Sequence, residues 1–480
     1  MEVGFVISQS DIQGYSFLVS KDAKLDNNVF VITDSGIFGR VINIANMNNL
    51  LMDQDVLIYY DEILKHVAPE RENYSIAHVK IYGYVKDNRI NRVNSPPKPG
   101  DTVRIVDWNE LKRLFGLEES DQSISIGYVL PYEQEFYFDP YRLVEKHFGV
   151  LAMSGAGKSN MISILLQEFT QRGIDLPVVV FDIHNEYYNF SQIYPDRFVS
   201  IKSGDIKLSG EYINTDVVSS LIEDLSETQL YILDSAISRL DSPSIDNLLS
   251  ILRSKDDEKR SVNALIRKIL HIRNMDIFGE IGLEEKIGML KYGKSLIIDF
   301  SDSTNDRILS TKAYVLLKEL FERRKRGEIP PVLVIVEEAH LLASNETNTE
   351  SRLSQLILTR IAREGRKFGL CLGIISQRPY YLNQTIMAQL NVQIFLRIVN
   401  PYDLEYVKSV SEQLTEDDIS SIPNLLPGEA IISGLLKYPL FVRFKLADSR
   451  LRSNYTDLRS MVDRYWEVNG RRRYLKDIDF

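Results

Sequence analysis

Cysteine is almost absent: Cys371 is the only one in 480 residues. That excludes an internal disulfide and a cysteine-rich metal site. Cys371 lies in the apolar run LCLGII and reads as a small core residue. So low a count fits a reducing compartment. Long apolar runs are missing too. No window approaches the roughly 20 residues of a membrane span. The opening residues MEVGFVISQSD carry no basic region ahead of a long apolar core, so no signal peptide is expected. The chain is expected to be soluble and cytoplasmic, with no membrane partner. Positive charge is in deficit, with a net charge of −10. That argues against a uniformly basic nucleic-acid binder but leaves room for a local basic surface, such as the wall of a pore. What remains is ordinary. The hydrophobic and charged fractions, 44% and 26%, fit a globular protein, and the length accommodates about three domains.

Against this background one stretch stands out, VEKHFGVLAMSGAGKSNMISILLQEFTQR at 144–172. Residues 148–153 form an apolar run with the length of a buried strand. Residues 154–159, SGAGKS, make a small-residue turn. From Asn160 onward, Ile162, Leu165, Leu166 and Phe169 recur at helical spacing. Strand, glycine turn, Lys-Ser and helix together make a phosphate loop. Gly155 and Gly157 let backbone N–H groups curl around phosphates, and the helix N-terminus adds its dipole. Lys158 reaches the terminal phosphates and Ser159 offers a hydroxyl to Mg²⁺. Nucleotide contacts are expected from Met153, Ser154, Gly155, Ala156, Gly157, Lys158, Ser159 and Asn160. The usual opening glycine is replaced by Ala152.

Along the chain the rhythm changes once. Residues 1–106 hold six short β-branched or aromatic runs separated by turn signals: EVGFVIS, YSFLVS, NVFVITD, FGRVINIA, HVKIYGYV and DTVRIVD. They suggest a small N-terminal β-barrel. Residues 107–146 read as a connector with a short helix and one strand-like stretch, ISIGYVL. From 147, strands and helices alternate, the mark of a parallel α/β sheet. The core is expected over 147–213 and 291–446, interrupted by a helical insertion at 214–290 in which Ser226 is a cap. Residues 447–480 read as a C-terminal arm. The expected fold class is α/β, and its motif order resembles a RecA-like P-loop ATPase core with a helical insertion behind a small barrel.

Other residues carry chemistry. In VLVIVEEAH, a buried strand ends in two acids, at the end where open α/β sheets bind ligands. Glu337 is expected to hold Mg²⁺ through water together with Ser159, and Glu338 to orient and deprotonate the attacking water. Asp182 ends a neighbouring strand and either joins the magnesium shell or positions Lys158. His184 and Glu186 lie close by, at a spacing that gives little support to a transition-metal site. Gln377 follows the next strand, where an amide can touch the γ-phosphate. Arg363 and Arg366 share one helix face. They either complement the helix dipole or reach a neighbouring subunit's ATP, a contact worth ~10³–10⁵ in rate. Arg142 and Arg397 are further candidates for nucleotide contact. The basic cluster at 323–326 reads as a solvated helix end before it reads as a DNA patch, and that at 471–473 lies in the expected arm.

With AMSGAGKSN, FDIHNEY, VLVIVEEAH, AREGRKFG and IISQRP in this order behind a barrel, nearly the whole chain resembles the HerA/FtsK group of ring ATPases, and within it the archaeal HerA proteins. The resemblance implies a homo-hexameric, ATP- and Mg²⁺-dependent translocase or helicase on double-stranded DNA. It also implies work with a NurA-type nuclease in DNA end resection for recombinational repair. Carried over by motif, Lys158 and Ser159 are the phosphate-loop pair and Glu338 the catalytic carboxylate. Asp182 is an essential acid, Gln377 the sensor, and Arg363 or Arg366 the arginine acting in trans. Three rivals differ in class. A two-lobed helicase needs a second lobe, for which too few residues follow position 380. A secretion- or conjugation-type ring ATPase of the same superfamily would be tethered to a membrane. A nucleotide-regulated scaffold would need no water activator such as Glu338.

Overall fold

A computed structural model describes residues 2–7, 10–48, 73–254, 259–279, 283–303, 305–345, 350–451, 462–463 and 465–466. The basic cluster at 471–473 and most of the expected arm lie outside the described residues.

The first unit contains β1 (Glu2–Val6), β2 (Gly14–Val19), β3 (Phe30–Thr33), β4 (Ile37–Asn48), β5 (Asn73–Lys86), β6 (Arg89–Asn91) and β7 (Thr102–Ile105). Their order is β2-β1-β7-β3-β4-β5-β6, and a β2–β5 pairing closes six of them into an antiparallel barrel, with β6 added outside. Closure leaves the six without a free edge. Alternate residues point inward, so Val3, Phe17, Val31, Val41, Val79 and Val103 fill the interior. The six runs expected from the sequence are the six barrel strands.

The second unit is built on one 11-stranded sheet. Its strands are β8 (Ile124–Val129), β9 (Gln134–Phe138), β10 (Phe148–Leu151), β11 (Val178–Asp182), β12 (Phe198–Lys202), β13 (Ser295–Asp299), β14 (Val332–Val336), β15 (Leu370–Ser376), β16 (Val392–Phe395), β17 (Glu429–Ser433) and β18 (Leu440–Phe444). They run β12-β13-β11-β14-β15-β10-β16-β17-β18-β8-β9. The first seven are parallel, and β17, β18, β8 and β9 continue antiparallel. Strands β11, β13, β14 and β15 are buried at every residue, as parallel strands covered on both faces are. Their side chains alternate between two cores. Val179, Phe181, Val334 and Val336 pack on one face, and Val178, Val180, Leu333 and Ile335 on the other. The second face is covered by the helix Lys158–Gln171, through Met161, Ile162, Leu165 and Leu166.

Two local readings change. The hairpin β8–β9 belongs to the sheet rather than to a free connector at 107–146, because it pairs with β18 and covers that strand's edge. An edge strand, β12, also precedes the insertion, where no strand was expected. Between β12 and β13 stand the helices Thr215–Ser220, Glu227–Ile237, Ile245–Arg253, Lys259–Asn274 and Leu283–Gly288. Ser226 caps the second of them in a reciprocal box with Gln229. Among the described residues no helix is long and apolar enough to cross a membrane.

Candidate nucleotide site at the strand ends

At the end of β10 the chain keeps its neighbours for two more residues. Ala152 N–H donates to Ser376 O at 3.2 Å and Met153 N–H to Arg397 O at 2.9 Å. Ala152 is fully buried among apolar neighbours, so the place usually held by glycine accepts a methyl group here. The loop then turns through Gly155 (φ 76°) and Gly157 (φ 110°), backbone angles that residues with a Cβ rarely adopt. Gly157 is the N-cap of the helix Lys158–Gln171 and brings no side chain to its free N–H groups. They are left to an anion, with the helix dipole behind them. Below the loop, Gly428 N–H donates to Ala156 O at 3.0 Å and fixes the turn. Lys158 is buried, and its ammonium donates to Met153 O at 3.2 Å. Burial pulls its pKa down, against the attraction of Glu338, Glu186 and Glu337.

Acids gather at the ends of the adjacent strands. Asp182 is 0% exposed and accepts N–H bonds from Glu186 and Tyr187, both at 2.9 Å. Burial pushes its pKa up to about 6, despite those two bonds. Glu337 Oε1 accepts the Tyr187 hydroxyl at 2.6 Å, while its Oε2 is buried with no hydrogen-bond partner. Burial, then Glu186 and Asp182, raise the Glu337 pKa well above the usual carboxylate range. A carboxylate held by one oxygen, with the other oriented and unsatisfied, suits a hard divalent cation. Mg²⁺ is bound by one or two carboxylates plus phosphate oxygens and water. Among the described residues no three His, Cys, Asp or Glu side chains form a metal cage, so any Mg²⁺ here would rely on the nucleotide for further ligands. Glu337 fits that role.

Glu338 follows in the left-handed region, at φ 41° and ψ 45°. For a glutamate this conformation persists only where the surroundings impose it. Its Oε1 accepts the side-chain amide of Gln377, 39 residues away in sequence. His340 Nδ1 lies 3.4 Å from Oε2 and 3.3 Å from Ser376 Oγ. Lys158, Asp182, Glu337, Glu338 and Gln377 therefore all sit at or just beyond the C-terminal ends of β10, β11, β14 and β15.

Four other candidates are engaged or placed differently. Both polar groups of the Asn160 side chain bind the backbone beyond β18, Nδ2 to Lys445 O at 2.8 Å and Oδ1 from Ala447 N–H at 3.0 Å. That side chain fastens the chain end and is not free for a nucleotide. Arg142 is exposed in the helix Pro140–Val144, ahead of β10 and beside Gly116, at the opposite end of that strand from the loop. Arg363 and Arg366 are exposed just before β15 begins, whereas Gln377 follows its end. Seven residues of parallel strand separate the two ends, about 20 Å. None of these three arginines joins the phosphate loop of its own chain. Arg397 does adjoin it, with its carbonyl on Met153 N–H and its Nε on Pro423 O at 3.1 Å. The sequence reading missed Tyr187 and the contacts of His340. The aromatic residue five positions after Asp182 was the only available signal for the first.

Residues 124–335 match the family model described as Helicase HerA, central domain. The chain is 29% identical to the DNA double-strand break repair helicase HerA of Pyrococcus furiosus, over 92% of this chain and 91% of that one. It is 27% identical to the protein of the same name from Sulfolobus acidocaldarius, over 95% of this chain and 96% of the relative. Among solved structures, VirB4 of Thermoanaerobacter pseudethanolicus shares the fold. Its TM-score is 0.54 at 15% identity, over 70% of this chain and 99% of that one. A phosphate loop facing paired strand-end acids, with relatives that match over more than nine-tenths of the chain, makes the chain similar to the HerA helicases.

Proposed function

We propose that this protein is an ATP-driven translocase or helicase on double-stranded DNA. It would act as a cytoplasmic homo-hexamer with a NurA-type nuclease in the resection of DNA ends. The observation that carries the reading is the meeting of Glu338 with Gln377 beside buried Lys158. A pure binding module has no use for a carboxylate held this way. Relatives named DNA double-strand break repair helicases support the substrate class.

In this reading the N–H groups after Gly155 and Gly157 bind the phosphates, and Lys158 exchanges Met153 O for the terminal phosphate oxygens. Ser159 and Glu337 would hold Mg²⁺, which would supply positive charge against the phosphates. Glu338 accepts the proton of the attacking water. Gln377 leaves Glu338 Oε1 for the γ-phosphate, which frees that oxygen and signals which nucleotide is present. The net charge of −10 confines DNA to a local basic surface.

The test is the ATPase rate of the full chain with and without linear duplex DNA, beside Glu338→Gln. Strong stimulation and a silent variant are expected. Hydrolysis that ignores DNA would favour the nucleotide-regulated scaffold or a secretion-type ring ATPase. Normal turnover in Glu338→Gln would remove the proposed chemistry.

A further inference from the structure

Glu338 has a second neighbour that the mechanism above leaves idle. Its Oε2 is buried and makes no hydrogen bond. Within reach is His340 Nδ1, 3.4 Å away, where a few tenths of an ångström separate contact from a bond. The same nitrogen lies 3.3 Å from Ser376 Oγ. That hydroxyl is pinned because it accepts Arg378 N–H at 3.0 Å, which leaves its proton free to donate to Nδ1. Burial lowers the His340 pKa and favours the neutral ring. A neutral ring carries one proton, so Nδ1 has two settings. It either accepts from Ser376, with the proton on Nε2, or donates to Glu338 Oε2.

The choice matters when ATP binds. In the resting arrangement Gln377 supplies the hydrogen bond on Glu338. Once that amide turns to the γ-phosphate, a buried carboxylate is left without a protein donor, which is unfavourable. The strained backbone at Glu338 does not hold the side chain by itself. The geometry points to His340 as the positioning residue that takes over the Glu338 carboxylate, donating from Nδ1 to Oε2 while Oε1 receives the proton of the water. Ser376 is the alternative partner that parks the ring when Gln377 is back on Glu338. Sequence spacing alone does not reveal this, because Ser376 stands 36 residues from His340. The inference rests on the reading of Glu338 as the water-activating carboxylate.

Steady-state ATPase kinetics and fluorescent-nucleotide binding on the full chain test it, with His340→Ala and His340→Asn. An asparagine amide sits near the place of Nδ1 and can still donate. His340→Ala should lower kcat roughly 10- to 100-fold, the scale for residues that orient a reacting group. KM for ATP and nucleotide affinity should stay within about twofold, and His340→Asn should recover much of the loss. Wild-type kcat in His340→Ala, beside an inactive Glu338→Gln, overturns this inference alone. So does an alanine variant whose nucleotide affinity falls as far as its kcat, or an asparagine variant no better than alanine. A wild-type chain without ATPase activity, or an active Glu338→Gln, overturns the motor reading and this inference with it.

Discussion

Asp182 and Glu337 are acids that the fold holds against their preference. Asp182 rises from 3.8 to about 6 because it is buried, and burial raises Glu337 as well. Between the free and folded values, the native state holds a proton that the unfolded chain has lost. Stability is therefore present at low pH and falls as pH rises through that window, by roughly 3 kcal/mol for Asp182 alone. A divalent cation removes the penalty by supplying the missing positive charge. Melting temperature without nucleotide should thus fall as pH rises from about 4 to about 6, and Glu337→Gln should flatten the slope. Mg²⁺ with a non-hydrolysable ATP analogue should raise the melting temperature more at pH 8 than at pH 5. Equal stabilisation at both values, with an unchanged slope in Glu337→Gln, would count against these acids as the cation's seat. At this scale the sequence was informative wherever chemistry is local. Lys158, Ser159, Glu337, Glu338 and Gln377 each adjoin a readable strand end. Tyr187 was not legible as a partner, since it meets Glu337 across 150 residues. The side-chain partners of Asn160 were not legible either, because they come from the far end of the core.

Barrel and motor meet through a few elements. Arg40 of β4 is 1% exposed and forms an ion pair with Asp418, 2% exposed, in the helix Glu416–Ser421. Its guanidinium lies 4.8 Å from the centre of the Phe441 ring on β18. Beside it, Tyr82 of β5 stacks on Tyr438 with ring centres 4.2 Å apart. Asp418 also closes the helix's capping box, accepting Thr415 N–H at 2.9 Å. Removing one partner of a buried pair strands the other charge, at about 3–5 kcal/mol. Arg40→Ala should therefore lower the denaturation midpoint sharply. Arg40→Met with Asp418→Asn should lose less than the sum of the single changes, because neither charge is then left alone. Strict additivity in urea unfolding would show that the pair does not couple the two units. The inner strands were legible because strands buried on both faces are apolar throughout, and the barrel strands because turn signals separate them. Strand β12 was not, since FVSIK is short and only partly buried. The stretch ISIGYVL was legible as a strand, but its partner β18 lies some 300 residues later, so its place in the sheet was hidden.

The sheet gives the whole molecule two chemically different ends. The phosphate loop and the acids occupy the C-terminal ends of the strands, while Arg363 and Arg366 stand exposed before β15 starts. With about 20 Å of strand between them, these arginines cannot complete the site of their own chain. Packed head to tail in a closed ring, each subunit would present one end to the next, and every interface would be equivalent. A guanidinium brought to a neighbour's γ-phosphate stabilises transition-state charge and contributes little to nucleotide binding. Arg363→Ala or Arg366→Ala should accordingly bind nucleotide normally and stop hydrolysing it. Lys158→Ala rings are dead for the opposite reason, since they keep the arginine and lose the loop. Mixing the two dead proteins separates the cases. Random assembly places an intact loop against an intact arginine at about a quarter of interfaces, so hydrolysis should return to about that fraction of the wild-type rate. An arginine acting within its own chain gives no activity at any mixing ratio, because every subunit then carries one lesion.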